Sequence, residues 1–188
     1  MIDIANLSFK YGRKSLFSDL NLTLAAGGIC GLLGKNGSGK TTLLKLMAGL
    51  RFPRDGQIDV YGQAPSDRST GFLQDLFFLP EEFELPAVTP LQYEKLFSPY
   101  YPGFQKESFR NYLQEFEIPE NEKMNGVSYG QKKKFMLAFG LAAGCRLTLL
   151  DEPTNGLDIS SKSSFRKAVA SCFRDDQVFV IATHQVRD

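Results

Sequence analysis

The sequence predicts an α/β fold: a parallel core sheet, a small antiparallel β-subdomain, and a helical subdomain over about residues 90–145. Three observations lead there. The run Gly34 to Thr42, GKNGSGKTT, fits G-x-x-x-x-G-K-[ST], with an apolar segment before it and a helical pattern after it. Leu147 to Glu152 is a largely apolar run ending in two carboxylates, as a core strand of a parallel sheet reads. Short segments near the N-terminus alternate apolar and polar residues, whereas the block from about 90 to 145 holds no convincing strand.

In chain order, Ile2 to Phe9 alternates as a half-buried strand, Tyr11-Gly12 makes a turn, and Leu20, Leu22 and Leu24 alternate again. Ile29 to Leu33 reads as a buried strand leading into the glycine-rich run. Thr42 to Leu50 places Leu43, Leu46, Met47 and Leu50 on one helical face. A turn at Asp55-Gly56 opens a short strand, Gln57 to Tyr61. Thr70 to Pro80 is apolar and aromatic and includes a core strand. Thr89-Pro90 is a helix start, a cap followed by proline, for Leu91 to Phe97. Further helices fit Gln105 to Phe116, Gln131 to Ala143 and Ser160 to Phe173, and strands fit Arg146 to Leu150 and Gln177 to Thr183.

The chain of 188 residues suits one domain, residues 1–188. Hydrophobic residues make up 43% and charged residues 23%, enough to fill a core. A net charge of +1 gives no support to binding nucleic acid through bulk positive charge. Cys30, Cys145 and Cys172 stand far apart in apolar settings and read as buried free thiols of a reducing compartment. No cationic start precedes an apolar run at the N-terminus, and the longest apolar run, Phe135 to Cys145, is too short to span a bilayer. The chain is therefore expected to be soluble by itself.

The chemistry concentrates at the glycine-rich run. Gly34, Gly37 and Gly39 let the backbone approach a ligand closely, so that amides at a helix N-terminus converge on a polyphosphate. Lys40 is placed to reach the β- and γ-phosphates, and the Thr41 hydroxyl to ligate Mg²⁺. At the tip of the second strand, Asp151 is placed to hold the metal through water and Glu152 to act as general base. Lys132, Lys133 and Lys134 read as a solvated helix face.

Asp151 to Asp158, DEPTNGLD, resembles the Walker B and D-loop run of ABC-type ATPases, the nucleotide-binding subunits of ABC transporters. Val127-Ser128-Tyr129-Gly130-Gln131 resembles the family's LSGGQ signature, just before the long helix. Tyr11 matches the aromatic that stacks on adenine, or is a turn aromatic only; His184 matches the switch histidine. The resemblance covers nearly the whole chain. It implies a P-loop NTPase fold with a RecA-like core, and ATP and Mg²⁺ as cofactors. The phosphates would sit on Gly34, Asn36, Gly37, Ser38, Gly39, Lys40, Thr41 and Thr42, and the metal on Thr41, Asp151 and Glu81. Ser128, Gly130 and Gln131 would cover the γ-phosphate bound by a second copy. Lys40, Glu152 and His184 would carry hydrolysis.

The resemblance also implies two partners, a transmembrane permease subunit and a second nucleotide-binding domain in a homodimer, and no nucleic acid. It places the protein in the cytoplasm, peripheral on the inner face of the membrane. Leu85 to Pro90 reads either as loop packing or as the surface that receives a permease helix.

Three features depart from the family. Tyr129 stands where the signature's first glycine belongs, Glu81 replaces the Q-loop glutamine, and the chain stops at Asp188, as in a truncated or unusually short member. Two other readings stay open. A soluble ABC-type ATPase working on nucleic acid or in translation would show DNA- or RNA-stimulated turnover. A nucleotide-binding regulator would show none.

Overall fold

The computed structural model describes residues 1–184. Three strands form an antiparallel sheet in the order β2-β1-β4: β1 (Ile2–Tyr11), β2 (Lys14–Leu24) and β4 (Asp55–Val60). Four more form a parallel sheet in the order β3-β7-β6-β5: β3 (Gly28–Leu33), β7 (Val178–Thr183), β6 (Leu147–Asp151) and β5 (Leu76–Leu79). The helices are α1 (Lys40–Met47), α2 (Thr70–Gln74), α3 (Pro90–Phe97), α4 (Lys106–Glu115), α5 (Tyr129–Ala143) and α6 (Ile159–Cys172). No helix among the described residues is long and apolar enough to cross a membrane.

Successive side chains of a strand point to opposite faces, and the parallel sheet uses this to serve two cores. On one face, Leu76, Leu147, Leu149, Val178 and Val180 pack with Leu44 and Met47 of α1 and with Ile2, Ile4 and Leu7 of β1. On the other, Phe77, Leu79, Leu150 and Phe179 pack with Phe135 and Phe139 of α5, Phe109 of α4 and Phe165 of α6. The helical block thus shares its core with the sheet. Where α5 crosses β5, a Cβ on Gly140 would lie 2.1 Å from the Phe77 ring, so glycine sets the approach.

The structure departs from the sequence reading in four places. Residues Thr70 to Pro80 hold the expected core strand, β5, but a short helix precedes it, because the Ser69 hydroxyl accepts from the Phe72 amide at 3.2 Å and caps α2. Among the described residues β3 pairs with β7 alone and stands at the edge of the sheet, which leaves Ile29 and Leu33 exposed where burial is predicted. Helix α1 ends at Met47, so Leu50 falls beyond it and is exposed. Of the three free thiols only Cys145 is fully buried, Cys30 and Cys172 being half-buried.

Candidate functional site

The site forms where the C-terminal tips of three parallel strands meet. Register pairs Leu33 with Thr183 and Asp151 with Ala182, so the loop after β3, Glu152 after β6 and His184 after β7 emerge side by side. The Glu152 amide donates to the Ala182 carbonyl at 2.8 Å and extends this alignment by one residue.

The glycine-rich loop turns through a bond from the Ser38 amide to the Lys35 carbonyl and enters α1 at Gly39. Gly39 has φ 104°, and a Cβ there would stand 2.9 Å from the Phe17 ring. No side chain caps α1, so its first-turn amides face the loop opening. Lys40 folds back and its Nζ donates to the Gly34 carbonyl at 2.7 Å. A cavity of about 350 Å³ opens here. Asn36, Gly37, Gly39, Lys40, Thr41 and Thr42 line it, with Tyr11 at one side and Glu81 and Glu152 at the other. Tyr11 is half exposed, and its hydroxyl lies 3.3 Å from Thr42 Oγ1; that contact first of all pulls the phenol below its ordinary pKa.

The three predicted catalytic side chains converge. Glu152 Oε1 lies 2.9 Å from His184 Nδ1 and 3.8 Å from Lys40 Nζ. Glu152 is 4% exposed and takes φ 47°, a left-handed conformation that a non-glycine residue adopts only when its surroundings impose it. Its Oε2 has no hydrogen-bond partner among the described residues. Neither carboxylate oxygen of Asp151, which is 1% exposed, closes a hydrogen bond among the described residues, although the Thr41 hydroxyl favours its charge. Burial pushes the Asp151 carboxyl above the ordinary carboxylate range; the Thr41 hydroxyl opposes this, and the Glu81 and Glu152 carboxylates add to it.

Buried carboxylate oxygens that close no hydrogen bond among the described residues, beside a threonine hydroxyl and an open cavity, fit a hard divalent cation held by one or two protein oxygens and by phosphate. Glu81 faces the same cavity, where its Oε1 accepts from Asn155 Nδ2 at 3.3 Å.

Ser128, Gly130 and Gln131 lie outside the cavity lining. Ser128 caps α5: its hydroxyl accepts from the Gln131 amide at 3.2 Å, and Gln131 Oε1 accepts from the Ser128 amide at 3.4 Å. The Tyr129 hydroxyl donates to the Glu81 carbonyl, so two departures from the family pattern touch.

One sequence expectation fails here. Lys133 is not on a solvated face; it is 0% exposed and its Nζ donates to the carbonyls of Glu152 at 2.8 Å and Asn155 at 3.2 Å. Sequence reasoning also missed Lys14 and Leu16, which line the cavity from β2. Their alternate spacing on a strand next to Tyr11 is the signal that could have found them.

A sequence profile of the ABC transporter family matches residues 17–155. The chain belongs to this family. Among its relatives, the ABC transporter ATP-binding protein YtrB of Bacillus subtilis is 31% identical over 192 residues, which cover 100% of this chain and 65% of YtrB. The Nod factor export ATP-binding protein I of Burkholderia orbicola is 32% identical over 97% of this chain and 62% of its own length. The chain thus spans just under two thirds of these two relatives. Its fold matches a solved ATP-binding subunit of an ABC transporter with a TM-score of 0.88 at 23% identity, over 100% of this chain and 80% of that one. The parallel sheet, phosphate loop and flanking antiparallel sheet are those of the P-loop NTPase fold of this family.

Proposed function

We propose that this chain binds and hydrolyses ATP and drives a membrane permease by ATP-dependent pairing of two cassettes in a homodimer. The observation that carries the reading is the convergence of Glu152, Lys40 and His184 at the mouth of the phosphate loop. Adenine stands against Tyr11, and the phosphates lie on the amides at Gly37 to Thr42. Lys40 leaves the Gly34 carbonyl for the β- and γ-phosphates and neutralises charge there. Thr41, Asp151 and Glu81 are the residues that would hold Mg²⁺, which when bound would supply neutralisation of the charge on the phosphates. The Glu152 carboxylate takes the proton of the attacking water, and His184 orients that carboxylate and contacts the γ-phosphate.

In the pair, Ser128, Gly130 and Gln131 of one copy cover the γ-phosphate held by the other. ATP binds the closed pair preferentially, so binding and hydrolysis shift the open-to-closed population and move the permease. The permease surface is an apolar groove of about 640 Å³ lined by Leu50, Leu73, Leu76, Phe78, Phe97 and Tyr100. Within the segment read as loop packing or a permease surface, Leu85 and Pro90 are buried while Pro86 and Ala87 are exposed. This coupling puts the protein on the cytoplasmic face of the membrane, held there through its permease.

Glu152→Gln is expected to abolish steady-state ATP hydrolysis while leaving ATP binding intact, so that a dimer accumulates in size-exclusion chromatography with ATP. Hydrolysis by that variant at the parent rate overturns the assignment.

A further inference from the structure

Lys133 is a buried cation that the proposed reaction does not use. It sits in the first turns of α5, near the positive end of that helix, where a cation is disfavoured. It has no solvent to compensate. What faces it from each neighbouring element is specific. The Tyr129 ring lies 5.2 Å from its Nζ, on its own helix. From the segment after β6 come the carbonyls of Glu152 and Asn155. The carboxylates of Glu81, Glu152 and Asp151 draw the ammonium electrostatically, while burial pulls its pKa down.

Of these contacts, the one to the Glu152 carbonyl matters most. Glu152 holds its left-handed backbone with three ties: its amide donates to the Ala182 carbonyl at 2.8 Å, and its carbonyl accepts from Lys133 Nζ at 2.8 Å and from the Asn155 amide at 3.2 Å. Without Lys133 the carbonyl keeps only the longer, uncharged bond from the Asn155 amide, so the residue can relax toward commoner backbone angles and its carboxylate swing away from Lys40 and His184.

We propose that Lys133 is a positioning residue for hydrolysis: it pins the Glu152 backbone and so ties the start of α5 to the carboxylate that activates water. The proposal rests on Glu152 being the base, as proposed above. Because α5 begins at the Ser128 cap, a shift of that segment against a second cassette reaches Glu152 through one side chain. Lys133 then links the surface that covers one nucleotide to the base that acts on the other.

The test compares the parent with Lys133→Met, which keeps the length of the side chain and removes the donor. Mg-ATP turnover gives kcat and KM, and a fluorescent ATP analogue gives Kd. The expected result is a fall in kcat of about 10²-fold, the size of effect seen when a catalytic group is displaced by about an ångström. KM and Kd stay within about twofold, because the phosphate loop is untouched. In a Glu152→Gln background, Lys133→Met makes no further difference to residual turnover, since it acts through the carboxylate already lost.

A parental kcat, an equal loss in both backgrounds, or a loss expressed in Kd overturns the proposal. Should Lys133→Met fail to fold, Lys133→Leu, which likewise lacks a donor, decides. A reduced kcat at unchanged Kd upholds the link, and parental kcat or altered Kd removes it. Dead Glu152→Gln with fully active Lys133→Met refutes the link alone; active Glu152→Gln refutes the base assignment beneath it.

Discussion

Asp151 is the residue whose replacement most sharply separates stability from function. Its carboxylate is 1% exposed and neither oxygen closes a hydrogen bond among the described residues; the Thr41 hydroxyl offsets burial only in part, so the folded protein without metal holds a poorly compensated buried charge. Asparagine has nearly the same shape and no charge. In EDTA, Asp151→Asn is therefore expected to stabilise the protein at neutral pH by about 1–2 kcal/mol, the lower part of the range for relieving an unsatisfied buried group, because the amide also lacks partners. The sign with pH follows from the raised carboxyl pKa. The folded state holds this proton more tightly than the unfolded state. The penalty is absent in strong acid, where both states are protonated. It sets in as pH rises through the ordinary carboxylate range near 3.9 and is complete above the raised folded value. The gap between variant and parent should open in that direction. With Mg-ATP the order reverses. A ligand at about 100 times its Kd stabilises by about 2.7 kcal/mol, and each tenfold loss of affinity removes about 1.4 kcal/mol of that. Urea unfolding followed by circular dichroism, in EDTA from pH 3 to 8 and again with Mg-ATP, measures both effects. A variant less stable than the parent in EDTA at pH 7, or one stabilised equally by Mg-ATP, would refute the assignment of Asp151 as a charge waiting for a cation.

Two further outcomes test the scaffold around the site. Asp158 caps α6 by accepting from the Ser160 hydroxyl at 2.6 Å, the Ser161 amide at 2.8 Å and the Ser161 hydroxyl at 2.7 Å, which hold its carboxyl far below the usual range. A depressed pKa contributes stability above the unfolded value and loses it in acid, so Asp158→Ala should lower Tm at pH 7, with the difference closing below about pH 4; a pH-independent difference counts against the charged cap. Gly140→Ala forces a methyl group into the Phe77 ring and should cost about 1–3 kcal/mol in urea unfolding, with nucleotide Kd unchanged.

What could be read from the sequence follows from what kind of signal each feature leaves. The phosphate loop is local: its glycines, Lys40 and the cap-less start of α1 are contiguous, and the flanking strand and helix announce the geometry. Asp151, Glu152 and His184 lie far from it in sequence, yet each ends a parallel strand, and parallel registry brings such ends together. Strand β3 misled because an apolar run looks the same at the edge of a sheet as in its middle; only strand order distinguishes them, and strand order is a long-range property.

Lys133 misled for a different reason. Three consecutive lysines on a helix point in three directions about 100° apart, so one of them must face inward if the helix is packed on more than one side. Helix α5 is packed so: Phe135, Leu137, Ala138, Phe139, Gly140, Leu141, Ala142 and Ala143 are all buried. The nearly unbroken apolar run that follows the lysines already declares a helix without a wet face. Extended backwards by one turn, the same helical geometry turns one of the three lysines inward. A buried lysine needs acceptors, and the strand end that precedes α6 supplies two backbone carbonyls, of Glu152 and Asn155, at hydrogen-bonding distance. The residue that composition dismisses as solubilising charge is thus fixed by helix geometry against the backbone of the carboxylate that faces the phosphate loop.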